Sequence, residues 1–144
     1  MHRPLDLLAR WARPPRVAHA HCDIPCGIYD PREAEIAAET VEKMVTLLHN
    51  LGQDDGSLEW RNSATRYIAA KELHAEKVKH EVLIIWGDYL KPDHLGKLPA
   101  DIHERVWALV KLAGYNKQHV DAAKAAELRT KVKEFADAFW ATKK

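Results

Sequence analysis

From residue 32 to the C-terminus, apolar residues recur every three or four positions and no segment alternates at every second one, which confines the fold to packed helices. Ala37, Val41, Met44, Leu48 and Leu51 form one helical stripe. A longer seam runs through Ala64, Ile68, Ala75, Val78, Val82, Ile85 and Tyr89, interrupted by Lys71. Ile102, Val106, Leu109 and Ala113 make a third stripe, and Ala125, Leu128, Val132, Phe135 and Phe139 a fourth. The punctuation agrees with the periodicity. Asp30 suits an N-cap, Pro31 the first helical position, and Glu33 the far side of a capping box. Asn50, Gly52 and Asp54-Asp55-Gly56 end the first helix, Ser57 caps the second, and Lys91-Pro92 stops it. The third helix follows Pro99 and is expected to end near Gly114. Four amphipathic helices joined by short to moderate loops predict an all-α, antiparallel four-helix bundle over residues 32–144.

At 144 residues the chain is expected to form one domain with a real core. Charged residues make up 30% of it, yet the net charge is only +1 and the Lys and Arg residues form no block, which argues against a nucleic-acid partner. No apolar run approaches a membrane span.

The chemistry concentrates in residues 21–31, His-Cys-Asp-Ile-Pro-Cys-Gly-Ile-Tyr-Asp-Pro, which hold both cysteines. His21 adjoins Cys22, and Pro25 and Gly27 flank Cys26, so the segment turns rather than extends. Imidazole nitrogen, two thiolates and nearby backbone nitrogens suit a borderline-soft transition metal. Three readings stand on the residues alone: a metal or redox site, a local disulfide closing a small loop, or ordinary thiols. His49, His74, His80, His94, His103 and His119 are scattered, and each reads as a surface or hydrogen-bonded histidine. The cluster Trp86 to Pro92 reads, by itself, as the C-terminal end of a buried helix.

Residues 1–20 carry four Arg and one Asp. Ala18-His19-Ala20 has the small-residue look of a signal-peptidase site. An export signal also needs an uninterrupted apolar core of roughly 7–15 residues, and Asp6, Arg10 and Arg13 interrupt every candidate. The segment reads as a disordered tail or as a cleavable leader that is not an export signal. Cleavage after Ala20 would give His21 a free amine beside its imidazole and beside the amide and thiolate of Cys22. Losing the leader's +3 would take the net charge from +1 to −2.

His21-Cys22-Asp23-x-Pro25-Cys26-Gly27-x-Tyr29-Asp30-Pro31 resembles the nickel hook of the nickel superoxide dismutase family. Trp86-x-Asp88-Tyr89-x-Lys91-Pro92 is similar to that family's other signature, and Trp140-x-Thr142-Lys143-Lys144 resembles its C-terminus. The resemblance runs from His21 to Lys144. It implies a superoxide dismutase that cycles Ni(II)/Ni(III), with one nickel ion per chain. The implied metal ligands are His21 (amine and imidazole), Cys22 (amide and thiolate) and Cys26 (thiolate). Amine, amide and two thiolates would make a square-planar set for Ni(II), which the imidazole joins axially on oxidation. Tyr29 and Tyr89 are implied as gates for superoxide or ordered water. Asp23 would orient the hook, Pro25 would set its turn, a cis peptide included, and Lys91 would attract the anionic substrate. The resemblance further implies a leader-processing protease and a homohexamer. Some family members hold the hook imidazole with a Glu and an Arg. Gap-free counting puts Ala37 and His74 at those positions, so the pair is absent and His74 becomes the candidate partner of the His21 ring. Two further readings are a non-catalytic metal-binding or metal-delivery bundle and a structural bundle with a Cys22–Cys26 disulfide. Two thiolates favour assembly in the cytoplasm, with later export left open.

Overall fold

Asp30 starts the first helix as its position suggests. In the computed structural model, which describes residues 27–144, its Oδ1 accepts a hydrogen bond from the Arg32 N–H at 2.8 Å. Pro31 already has helical torsions, and its carbonyl accepts from the Glu35 N–H at 3.1 Å. Helix α1 spans Arg32–Asn50. Glu33 closes no capping box. Its carboxylate instead pairs across the bundle with Lys77, whose hydrogen bond and charge hold it below the ordinary glutamate range. The buried face of α1 is Ala34, Ala37, Ala38, Val41 and Val45, so Met44, Leu48 and Leu51 lie only half-buried at its margin. Gly52, with φ +72°, supplies the left-handed turn that ends the helix.

Helix α2, Leu58–Ile84, is capped by Ser57, whose Oγ accepts from the Trp60 N–H at 3.0 Å. Its seam departs from the expected one in the middle. Ile68 is exposed, and the chain buries Lys71 instead, at 2% exposure. Lys71 Nζ donates to the carbonyls of Asn116 at 2.5 Å and Lys117 at 2.8 Å. These lie in the last turn of α4 (Ile102–Gln118), where carbonyls have no intrahelical donor and the helix dipole favours a cation. Burial pulls the Lys71 pKa below that of an ordinary lysine, and neighbouring Glu72 opposes it. Leaving such buried acceptors unpaired costs about 1–3 kcal/mol each, which explains why a cation interrupts an apolar seam. The same contacts carry α4 through Gly114, beyond the end expected from sequence. Asn116 is fully buried and its Nδ2 donates to the carbonyls of Leu112 and Lys124, both at 3.0 Å.

After Ile84 the chain makes a π turn, Ile85–Tyr89, in which the Leu90 N–H reaches the Ile85 carbonyl at 3.0 Å. A single helical turn, α3 (Pro92–Leu95), leads on to α4. Helix α5 spans Ala122–Thr142 and is capped by Asp121, whose side chain accepts from the Lys124 N–H at 3.0 Å. Its buried residues include all five of the expected stripe, with Phe139 1% exposed.

Long side chains set the antiparallel register at every corner. Glu33 meets Lys77 between α1 and α2, and Glu42 meets Arg129 between α1 and α5. Glu76, in the body of α2, meets Lys117 in the last turn of α4, while Trp86, just past the end of α2, meets His103 in the first turn of α4. Asn116 meets Lys124 between α4 and α5. The four long helices therefore stand at the corners of a square, each antiparallel to its neighbours, around the Val, Leu and Phe side chains of the expected stripes. Among the described residues there is no strand, and no helix is long and apolar enough to cross a membrane.

Candidate functional site

The π turn, α3 and the C-terminus of α5 meet the chain where it emerges at Gly27. A π turn widens the helix and re-aims the side chains beyond it, and such turns recur at functional sites. Here it carries Tyr89 to the end of the bundle. Gly27 has φ +68°, a left-handed conformation that an L side chain would strain. Two residues later Tyr29 packs, half-buried, against the core and against Tyr89, with ring centroids 5.3 Å apart and planes tilted by 47°.

The Tyr89 ring is held on several sides. His94 stacks on it at 4.9 Å, Phe139 packs at 4.7 Å, and the Lys143 ammonium lies 4.5 Å from its centroid. Its hydroxyl lies 2.7 Å from Thr142 Oγ1. His94 is fixed in turn, because the Lys91 N–H donates to its Nδ1 at 3.2 Å. In the neutral ring that bond leaves the proton on Nε2. Gly27, both tyrosines, His94, Lys91, Lys143 and Asp88 line one cleft of about 360 Å³. Two ammonium groups against one carboxylate make its mouth attractive to small anions.

Of the residues expected at the site, the fold brings Tyr29, Tyr89 and Lys91 together. His21, Cys22, Asp23, Pro25 and Cys26 lie outside the described residues, as does the leader. The Glu33–Lys77 pair sets Ala37 and His74 at nearly the same level of the antiparallel α1–α2 pair, as gap-free counting supposes. Ala37 is fully buried. His74 is half-buried, and its Nδ1–H donates to the Ala70 carbonyl at 2.8 Å, which leaves Nε2 as its free nitrogen. It precedes Tyr89 by fifteen residues, about 20 Å of helix rise, so it is not part of the cleft.

His94, Thr142 and Lys143 were not singled out in the sequence as site residues. The last two belong to the C-terminal segment quoted above without a role. Only proximity to Tyr89 in the fold gives all three their meaning.

The donor chemistry fits nickel at the hook and nowhere else described. Among the described residues, no group of three or more His, Cys, Asp or Glu side chains converges to hold a metal ion. Both cysteines of the chain lie in residues 21–26, so that segment carries the soft sulfur donors that would suit nickel.

A family model for nickel-containing superoxide dismutase matches residues 16–143. The superoxide dismutase [Ni] of Streptomyces coelicolor is 36% identical over 138 residues, which cover 96% of this chain and 99% of the relative. That of Streptomyces seoulensis is 35% identical over the same span. The native structure of a nickel superoxide dismutase superposes with a TM-score of 0.73 at 33% identity, covering 86% of this chain and 100% of the other. An apo structure gives a TM-score of 0.71 at 31% identity, covering 81% and 98%.

Proposed function

The chain belongs to the nickel-containing superoxide dismutase family, and from that membership we propose which of its residues carry the reaction. The activity is conversion of superoxide to dioxygen and hydrogen peroxide, with nickel as cofactor. Nothing found favours the metal-delivery reading.

In our reading, His21 holds the nickel through its amine and imidazole, Cys22 through its amide and thiolate, and Cys26 through its thiolate. Bound there, nickel supplies one-electron exchange at a potential between the two superoxide half-reactions. Tyr29 and Tyr89 line the approach to it. The observation that carries this reading is their 5.3 Å pairing in one cleft, since one tyrosine follows the hook and the other belongs to the distant second signature. Covalent geometry adds to it. Tyr29 lies three positions beyond Cys26, and that length of chain spans at most about 11 Å. Lys91 and Lys143 draw the anion in. The reduced product takes up two protons, which water held by the tyrosine hydroxyls would deliver, while the neutral His94 ring can donate a hydrogen bond through its Nε2–H. Asp23 and Pro25 shape the hook, and the distance of His74 from the cleft leaves the partner of the His21 ring unassigned.

Tyr29→Phe tests the reading. Nickel is expected to stay near one ion per chain, turnover to fall roughly fivefold, the worth of one hydrogen bond, and inhibition by azide to change. Stoichiometric loss of nickel would show that Tyr29 holds the hook together instead.

Removal of residues 1–20 belongs to the same proposal. Two lengths support it. The relatives from the two Streptomyces species align over 96% of this chain, whereas the native crystal chain is matched in full by 86% of it. Residues 21–144 make up that same share. Two free thiolates suit loading in a reducing cytoplasm. Assembly as a homohexamer is supported by large apolar side chains left on the surface, among them Leu73 at 67% and Trp107 at 66% exposure. Light scattering of the trimmed protein is expected to give six chains, and a monomer would refute the assembly.

A further inference from the structure

Thr142 is the last residue of α5 and is nearly buried. Its Oγ1 lies 2.6 Å from the Phe139 carbonyl and 2.7 Å from the Tyr89 hydroxyl. A carbonyl only accepts, so the single Thr142 hydroxyl proton goes to Phe139. The helix end demands that bond. The Lys143 N–H, the α-helical donor for Phe139, turns to the Trp140 carbonyl at 3.2 Å, and Phe139 needs another. The contact with Tyr89 then has one sense only: the Tyr89 O–H donates and Thr142 accepts.

We infer that Thr142 is a positioning residue that turns the Tyr89 hydroxyl proton into the bundle, leaving only lone pairs for whatever enters the cleft. His94 and Phe139 already hold the ring, so rotation of the hydroxyl is the freedom that Thr142 removes. Tyr89 therefore donates nothing to a bare superoxide anion. It accepts from a water molecule, whose other proton is free to point at the anion, or from the O–H of protonated product. The inference rests on the reading of Tyr89 as a cleft residue.

The test uses nickel-loaded protein beginning at His21. The readout is the tyrosine ring-mode doublet in its Raman spectrum, whose intensity ratio reports whether a phenol donates or accepts. Subtracting the Tyr89→Phe spectrum isolates Tyr89. In Thr142→Val the Tyr89 signal is expected to leave the donor range, with turnover down roughly fivefold and nickel and helix content unchanged. Thr142→Ser is expected to restore both signal and turnover. Adding Thr142→Val to Tyr89→Phe is expected to cause no further loss, because Thr142 acts through the hydroxyl already removed. An unchanged Tyr89 signal in Thr142→Val, or an equal loss in both backgrounds, would overturn the inference. Parental turnover in Tyr89→Phe alone would instead sink the cleft reading, while the Raman signal still decides the direction of the bond.

Discussion

With residues 1–20 still attached, nickel-treated protein is expected to turn over superoxide at less than about one hundredth of the rate of protein beginning at His21. The nitrogen of His21 explains why. In the precursor it belongs to the Ala20–His21 peptide, where resonance with the carbonyl delocalises its lone pair. Cleavage after Ala20 would turn it into an amine, a good donor beside the Cys22 amide. Losing a partner outside the ligand shell already costs metal sites 10–100-fold, so losing a ligand costs more. The measurement compares nickel content and turnover of the two forms. Equal activity would show that the amine is not a ligand and would remove the chemical reason for a leader.

The bundle is legible in the sequence because its core obeys one local rule, the helical period. The α5 stripe, Ala125 to Phe139, is buried residue for residue. The rule fails where a partner is remote. Nothing within a turn of Lys71 announces that its ammonium closes the end of a helix 45 residues away, so burying it in place of Ile68 looks like an error until α4 is in position. Gly114 fails for the same reason. It reads as a stop, but Asn116 and Lys71 carry the helix past it.

The candidate site divides along the same line. A hook is a contiguous segment, and its residue types alone bring sulfur and nitrogen donors together. The cleft is not contiguous. Tyr89 and Thr142 are 53 residues apart, and Tyr29 joins them from before α1. Their convergence depends on the π turn, which no local sequence pattern announces, and on the antiparallel register that puts the end of α2 beside the end of α5. The resemblance supplied the two tyrosines; only the fold supplies His94, Thr142 and Lys143 around them.

Replacing either cysteine with serine is expected to reduce turnover by more than about 100-fold while the helices stay folded. A thiolate is soft, polarizable and anionic near neutral pH when bound to metal. A serine hydroxyl is a harder donor and keeps its proton there, so it neither matches nickel nor pushes electron density onto it to bring the couple into the range of superoxide. The helices are expected to fold without the thiols. Cys22 and Cys26 precede α1, and the described core is built from residues of the helices with Tyr29 and Tyr89 packed against it. Helical circular dichroism, nickel content and superoxide consumption measured together separate the readings. A structural Cys22–Cys26 bridge predicts that reducing agent and the serine variants alike lower stability, with no effect on nickel. A two-thiolate site predicts parental helix content and lost turnover in each single variant. An active Cys22→Ser or Cys26→Ser protein would mean that one thiolate suffices, and the ligand set proposed for this chain would be wrong.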